Sequence, residues 1–271
     1  MSRSEADEPI GIELPGSLKA TRRGAIAHVR LTRPEKRNAL DDKTVLGLES
    51  VFLNMPSDIR AVVLSGEGEH FSAGLDLAEV VELPDPLERV LHSRLWHRAF
   101  QAIEFGRAPV VAALHGAVVG GGLELAAAAH IRVAERSAYY GLPEGQRGIF
   151  LGGGGSVRIA RLIGVPRVMD MMLTGRTLSA EEGHRAGISQ YVVEDGKALE
   201  TAIALAAKAA SNTPTTNFAV LHALPRIAES DPASGFLTES LMAAIAEMSP
   251  EARQRLTDFL EKRAAKVLRQ G

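Results

Sequence analysis

The chain has 271 residues, 45% apolar and 24% charged, which suits one large domain or two small ones with a real hydrophobic core. Lysine plus arginine number 31 against 33 for aspartate plus glutamate, and the net charge of -2 argues against a nucleic-acid binder. Cysteine is absent, which excludes disulfides, a thiolate nucleophile and cysteine-held zinc or iron–sulfur clusters, and suits a cytoplasmic protein.

Residues 1–15 are acidic and polar and read as a loose arm with no signal-peptide run. No stretch of about 18 uncharged apolar residues follows, so no membrane span is expected. Ala25, Ala27, Val29 and Leu31 alternate with His28 and Arg30, the pattern of a half-buried strand. A basic loop over 33–38 leads to Asp41 or Asp42, either of which can cap a helix whose apolar face is Val45, Leu48, Phe52 and Met55. Buried strands are expected over 61–64, 110–114 and 131–134, with a long helix over 87–105 and an alanine-rich one from Gly120 to about His130. Alternating strands and helices predict an α/β domain. After Gly155 the pattern turns helical: 156–163, 165–174, 179–186, 197–211, 214–227, 237–248 and 250–268. Ser179 and Glu182 form a capping box at the third of these. The expected division is a core over 16–205 and a helical region over 206–271.

Two carboxylates stand out. Glu124 lies in Gly120-Gly121-Gly122-Leu123-Glu124-Leu125-Ala126, a helix apolar on nearly every side. Burial there would raise its pKa, as acid–base catalysis requires, unless the carboxylate is simply satisfied by backbone groups or an arginine. Glu144 lies between Pro143 and Gly145, a rigid turn that would fix its direction, or a solvated loop position. Two carboxylates in unlike settings can divide acid and base roles. The glycines of Ser72-Ala73-Gly74-Leu75 and of 120–122 place backbone N–H groups where they could stabilise an oxyanion, or simply make tight turns. The run Gly152-Gly153-Gly154-Gly155 before a helix is another anion-type terminus or a flexible turn. The phosphate-binding motifs G-x-G-x-x-G and G-x-x-x-x-G-K-[ST] are missing, as are G-x-S-x-G and H-E-x-x-H, and the eight histidines are scattered, so no metal is expected.

In order along the chain, these blocks resemble the crotonase family, the enoyl-CoA hydratase/isomerase superfamily. Leu31-Thr32-Arg33-Pro34-Glu35-Lys36-Arg37-Asn38-Ala39-Leu40 is similar to its opening signature, and Phe71-Ser72-Ala73-Gly74-Leu75-Asp76-Leu77 to its A-G-x-D-L block. His115-Gly116 through Gly122-Leu123-Glu124-Leu125-Ala126 resembles its G-G-G-x-E-L-A block, Gly141-Leu142-Pro143-Glu144 its F-G-x-P-E block, and the stretch from Gly175 to Gly187 its late alanine–glycine block. The match runs from about Ile26 to Val193, with weaker likeness in the C-terminal helices.

The resemblance implies an α/β fold that spirals in ββα turns and ends in a helical trimerisation region. It implies an oxyanion hole from the N–H groups of Leu75 and Gly121, and two glutamates addressing one water: Glu124 holding and activating it, Glu144 transferring the proton at Cα. It places Lys36 and Arg37 toward the CoA phosphates and Ala73 near the adenine. Asp76, Leu77 and Gly152 join the substrate site, and Phe259 and Lys262 reach CoA across a subunit boundary. The implied partners are an acyl-CoA thioester and further copies of the chain, as a homotrimer or a hexamer. No metal or redox cofactor is required, because CoA belongs to the substrate. Both glutamates favour an enoyl-CoA hydratase; an isomerase, an acyl-CoA hydrolase and a non-catalytic acyl-CoA binder on the same scaffold are the alternatives. This chain departs from the family pattern at Leu75, where alanine is common, and at Ala78, where lysine is frequent. It also departs at 145–151, where Arg147 could pair with a carboxylate on the acyl group.

Overall fold

The computed structural model describes residues 7–78, 85–261 and 263. Contacts divide the chain into two compact units, Met1–Ala210 and Ser211–Gly271.

In the first unit, seven strands among the described residues form one sheet, in the order β1-β2-β3-β4-β5-β7-β10. They are β1 (Glu8–Pro9), β2 (Leu18–Arg23), β3 (Ile26–Leu31), β4 (Ala61–Gly66), β5 (Val110–Leu114), β7 (Ile131–Glu135) and β10 (Tyr191–Val193). Pairing is antiparallel from β1 to β3 and parallel from there on. A second sheet joins β6 (Ala117–Val119), β8 (Tyr139–Gly141) and β9 (Leu178–Ser179).

The two sheets make the spiral. Each turn runs along a strand of the large sheet, then along the small sheet, then into a helix. β5 is followed by β6 and the Gly121–Ala128 helix, and β7 by β8 and the Gly155–Ile163 and Val165–Thr174 helices. The earlier turns do the same with single bridges: Ser72 pairs with Val118, and Leu40 with Leu75. The α/β spiral expected from the resemblance is the fold.

The central parallel strands β4, β5 and β7 are buried on both faces. Val29, Val62, Leu64, Ala112 and Ala134 face the main core, while Val63, Val111, Ala113 and Val133 face Ala198, Ala202 and Ala206. Those alanines belong to the Ala198–Ala210 helix, so this element is packed on the sheet. The division therefore falls after Ala210 rather than at 205.

The structure adds strands that periodicity did not mark. Glu8–Pro9, in the expected loose arm, pairs with Arg22 and Thr21 of β2. Asp41 is the cap of the Asp42–Leu53 helix, and Ser179 and Glu182 close their capping box. In the second unit the expected 214–227 helix is three pieces: Pro214–Phe218, a π-turn at Ala219–Ala223 and Leu224–Glu229. Pro225 explains the break, because it lacks an N–H and its ring clashes with the carbonyl four residues back; the wide turn absorbs both. The Pro232–Glu247 and Pro250–Leu260 helices complete the unit. Among the described residues no helix is long and apolar enough to cross a membrane.

Candidate active site

Glu124 stands on the Gly121–Ala128 helix, whose entry requires glycine. Gly120 has φ +54°, and Gly122 packs so closely that a methyl group there would lie 2.5 Å from the Ser72 carbonyl. Leu123, Leu125 and Ala126 are fully buried, and Glu124 is 3% exposed. Its Oε1 accepts N–H bonds from Gly153 at 2.9 Å and Gly155 at 2.8 Å. The amides of the glycine run are thus taken by the Glu124 carboxyl. Burial raises the Glu124 pKa; the Gly155 and Gly153 amides and the Arg158 charge pull against it. Both sequence expectations for this residue hold together: it is desolvated, and it is satisfied by backbone.

Glu144 is 7% exposed, so it is not a solvated turn residue. The Gly145–Arg147 turn holds it: its carbonyl accepts from Arg147 N and from Ile149 N, each at 3.0 Å. The side chain points back at Gly120, and its Oε2 is buried without a hydrogen-bond partner among the described residues. Burial pushes its pKa up to about 7; the Glu124 charge adds to the rise and the Arg147 charge opposes it.

The two expected amides meet beside these carboxylates. In the Leu40–Leu75 bridge, Leu40 donates to the Gly74 carbonyl and Asp76 to the Leu40 carbonyl, leaving the Leu75 N–H outside it. Gly121 opens its helix, where an N–H has no intrahelical acceptor. They are close neighbours: a methyl on Gly121 would lie 3.2 Å from Leu75 N, and one on Gly74 would lie 2.9 Å from Gly121 N. Leu75, Gly121, Glu124 and Glu144 line one cavity of about 270 Å³. This can hold a carbonyl oxygen on two amides in a cavity that two carboxylates of raised pKa also line, an arrangement for proton transfer next to a developing oxyanion.

Ala73, Leu77 and Gly152 also line the cavity. Lys36 and Asp76 do not. The Asp76 carboxylate is taken by Arg33, 3.1 Å from Nη2, in a network that also ties Arg33 to Asp41 and so anchors the 33–41 loop. Arg37 lines an adjoining cavity that shares Ala73 and Arg147 with the first. Phe259 is an exposed residue of the second unit, and Lys262 lies outside the described residues.

Sequence reasoning missed the other wall. His92, Ser93 and Trp96 face the cavity from the Pro86–Glu104 helix, and Ser93 Oγ donates to the Gly152 carbonyl at 2.6 Å. Their spacing places them on one helical face, a signal open to detection. Trp96 packs against Gly121: a methyl there would lie 2.8 Å from its ring.

Known proteins resemble this chain in sequence and in fold. The sequence pattern of the enoyl-CoA hydratase/isomerase family matches residues 21–269. The chain is 32% identical to a short-chain-enoyl-CoA hydratase of Clostridium acetobutylicum, over 89% of this chain and 93% of that one. A crystal structure from Rhodopseudomonas palustris, provisionally named an enoyl-CoA hydratase, superposes with a TM-score of 0.88 at 56% identity, covering 93% of this chain and 97% of its own. An enoyl-CoA hydratase from Bacillus anthracis superposes with a TM-score of 0.84 at 31% identity, covering 91% and 96%.

Proposed function

The chain belongs to the enoyl-CoA hydratase/isomerase family, and on that premise we propose that it adds water across the 2,3 double bond of an enoyl-CoA, giving a 3-hydroxyacyl-CoA. The observation that carries this reading is the opening of two buried carboxylates, Glu124 and Glu144, onto the cavity that also holds the Leu75 and Gly121 amides. The thioester carbonyl accepts from those amides. As water oxygen bonds to C3, the π electrons move onto that carbonyl and an enolate-like oxyanion forms. Each such donor typically lowers the barrier by ~2.7–4 kcal/mol. Glu124 takes one proton from the water, and protonated Glu144 delivers a proton to C2. Proton return from Glu124 to Glu144 through solvent resets the site. A double-bond isomerase moves its proton with one carboxylate, so the second glutamate favours hydration.

No metal or redox group enters this reaction, and CoA arrives with the substrate. The basic Lys36-Arg37 loop and Ala73 receive the CoA end in this reading, with Phe259 and Lys262 contributed by a neighbouring subunit. A trimer, or a dimer of trimers, is part of the same proposal, supported by the exposed Phe236, Leu237, Leu241 and Ile245 of the helical unit. A cytoplasmic location rests on the cysteine-free composition.

The test follows loss of the conjugated enoyl-thioester absorbance over short, long, aromatic and carboxylated enoyl-CoAs, with products identified. Loss of absorbance with 3-hydroxyacyl product, abolished in Glu124→Gln and Glu144→Gln, is expected. A shifted double bond or free CoA as product would replace hydration with isomerisation or hydrolysis.

A further inference from the structure

The amides that hold Glu124 are themselves held from behind. Gly153, which donates to Glu124, accepts on its carbonyl from Arg158 Nη1 at 3.0 Å. Arg158 Nε donates to Glu104 Oε2 at 2.6 Å, at the end of the Pro86–Glu104 helix. Arg158 is 8% exposed. Gly154, between the two donating glycines, has φ +94°, and a methyl on it would lie 2.4 Å from Arg158 Nη1. The guanidinium therefore fills the space beneath the turn, and the left-handed backbone of Gly154 favours glycine there.

Stability is a weak reason for such a group, since a buried ion pair gains little over well-packed apolar residues. Its geometry offers a better one. A planar guanidinium binds two acceptors in fixed directions, which a lysine cannot reproduce. Here one acceptor is the turn that faces Glu124 and the other is a separate helix. The charge also acts on Glu124 directly, favouring its ionised form. The groups facing Glu124 from the surrounding elements are Arg158 from the Gly155–Ile163 helix and Glu144 from its loop. His97, on the Pro86–Glu104 helix, is 3.8 Å from the methyl position of Gly154, and burial and the Arg158 and Arg94 charges lower its pKa.

We propose that Arg158 is a positioning residue for the hydration step: by gripping the Gly153 carbonyl and Glu104 together, it aims the Gly153 and Gly155 amides at Glu124 and sets a fixed positive charge behind that carboxylate. The inference rests on Glu124 as the water-activating group.

Full-length Arg158→Gln and Arg158→Lys test it. The Glu124 carboxyl is followed by carbon-13 NMR across pH, its signal identified by its loss in Glu124→Gln. Arg158→Gln is expected to move the Glu124 midpoint up, and the acid limb of kcat with it, at little change in KM. Arg158→Lys, which keeps the charge without the fork, is expected to restore the midpoint and to leave kcat at least tenfold low. A folded Arg158→Gln with an unmoved Glu124 midpoint overturns the proposal. If Arg158→Gln does not fold, Arg158→Lys decides, and wild-type kcat there overturns it. If no enoyl-CoA is turned over by the wild type while the midpoint still follows residue 158, the hydratase reading falls and the hold of Arg158 on Glu124 stands.

Discussion

Glu144 Oε1 occupies the space a side chain on Gly120 would need: a methyl group there would lie 2.8 Å from that oxygen. One glycine thereby aims one catalytic candidate while opening the helix that carries the other. Gly120→Ala pushes the carboxylate aside and strains a backbone at φ +54°. A displacement of about 1 Å can cost roughly 10²-fold in rate. We expect a fall of that order in kcat with a smaller change in KM. Steady-state kinetics checks it, and a loss confined to KM would separate Gly120 from the chemistry.

Glu124→Gln and Glu144→Gln should each lower kcat by about 10²–10⁴-fold, the usual share of a general acid or base. The double variant should lose far less than the product of the two, because the carboxylates act as a unit on one addition of water. Ligand binding should survive. Trp96, the sole tryptophan, lines the cavity, so its emission reports acyl-CoA binding without turnover. Loss of that signal in either variant would mean that binding, and not chemistry, had failed.

The raised pKa of Glu144 makes stability depend on pH. The group titrates at about 7 when folded, against 4.5 ordinarily. Below 4.5 it is protonated in both states and its burial carries no charge penalty. The penalty grows as pH rises through 7. Glu144→Gln removes it. The variant should match the wild type near about pH 4 and exceed it above about pH 8, by up to roughly 3 kcal/mol. Urea unfolding at both pH values measures the difference, and a gap independent of pH would contradict it.

Arg147 stands three residues beyond Glu144, lines the same cavity and lowers the Glu144 pKa by its charge. Arg147→Ala should therefore let Glu144 stay protonated to higher pH, moving the basic limb of the kcat profile upward. Arg147 is exposed, so added salt should shrink the shift. If its guanidinium also receives a carboxylate on the acyl group, the variant will lose carboxylated enoyl-CoAs selectively. An equal loss on neutral chains would exclude that contact.

Much of this site was legible along the chain. Glu124 stands out as a lone charge in an alanine-rich helix, and Glu144 as a carboxylate clamped by proline and glycine. The glycines at 74 and 120–122 mark the bends that expose amides. Strands 61–64 and 110–114 showed as short apolar runs, because strands covered on both faces leave no polar alternation. The two-residue and three-residue strands were not legible, since periodicity needs more length than that.

By itself the sequence determined the local geometry: where the chain bends, which helix faces are apolar, and which two carboxylates sit in unlike surroundings. Such features depend on residues a few positions apart. Only the tertiary structure decided that Gly153 and Gly155 satisfy Glu124, that Arg158 braces them, that Asp76 is held by Arg33, and that Trp96 closes the wall beside Gly121. These contacts join residues that are distant in sequence, and the winding of the spiral sets them. No local pattern encodes such a meeting, because its energy arises only after the large sheet, the small sheet and the helices have packed.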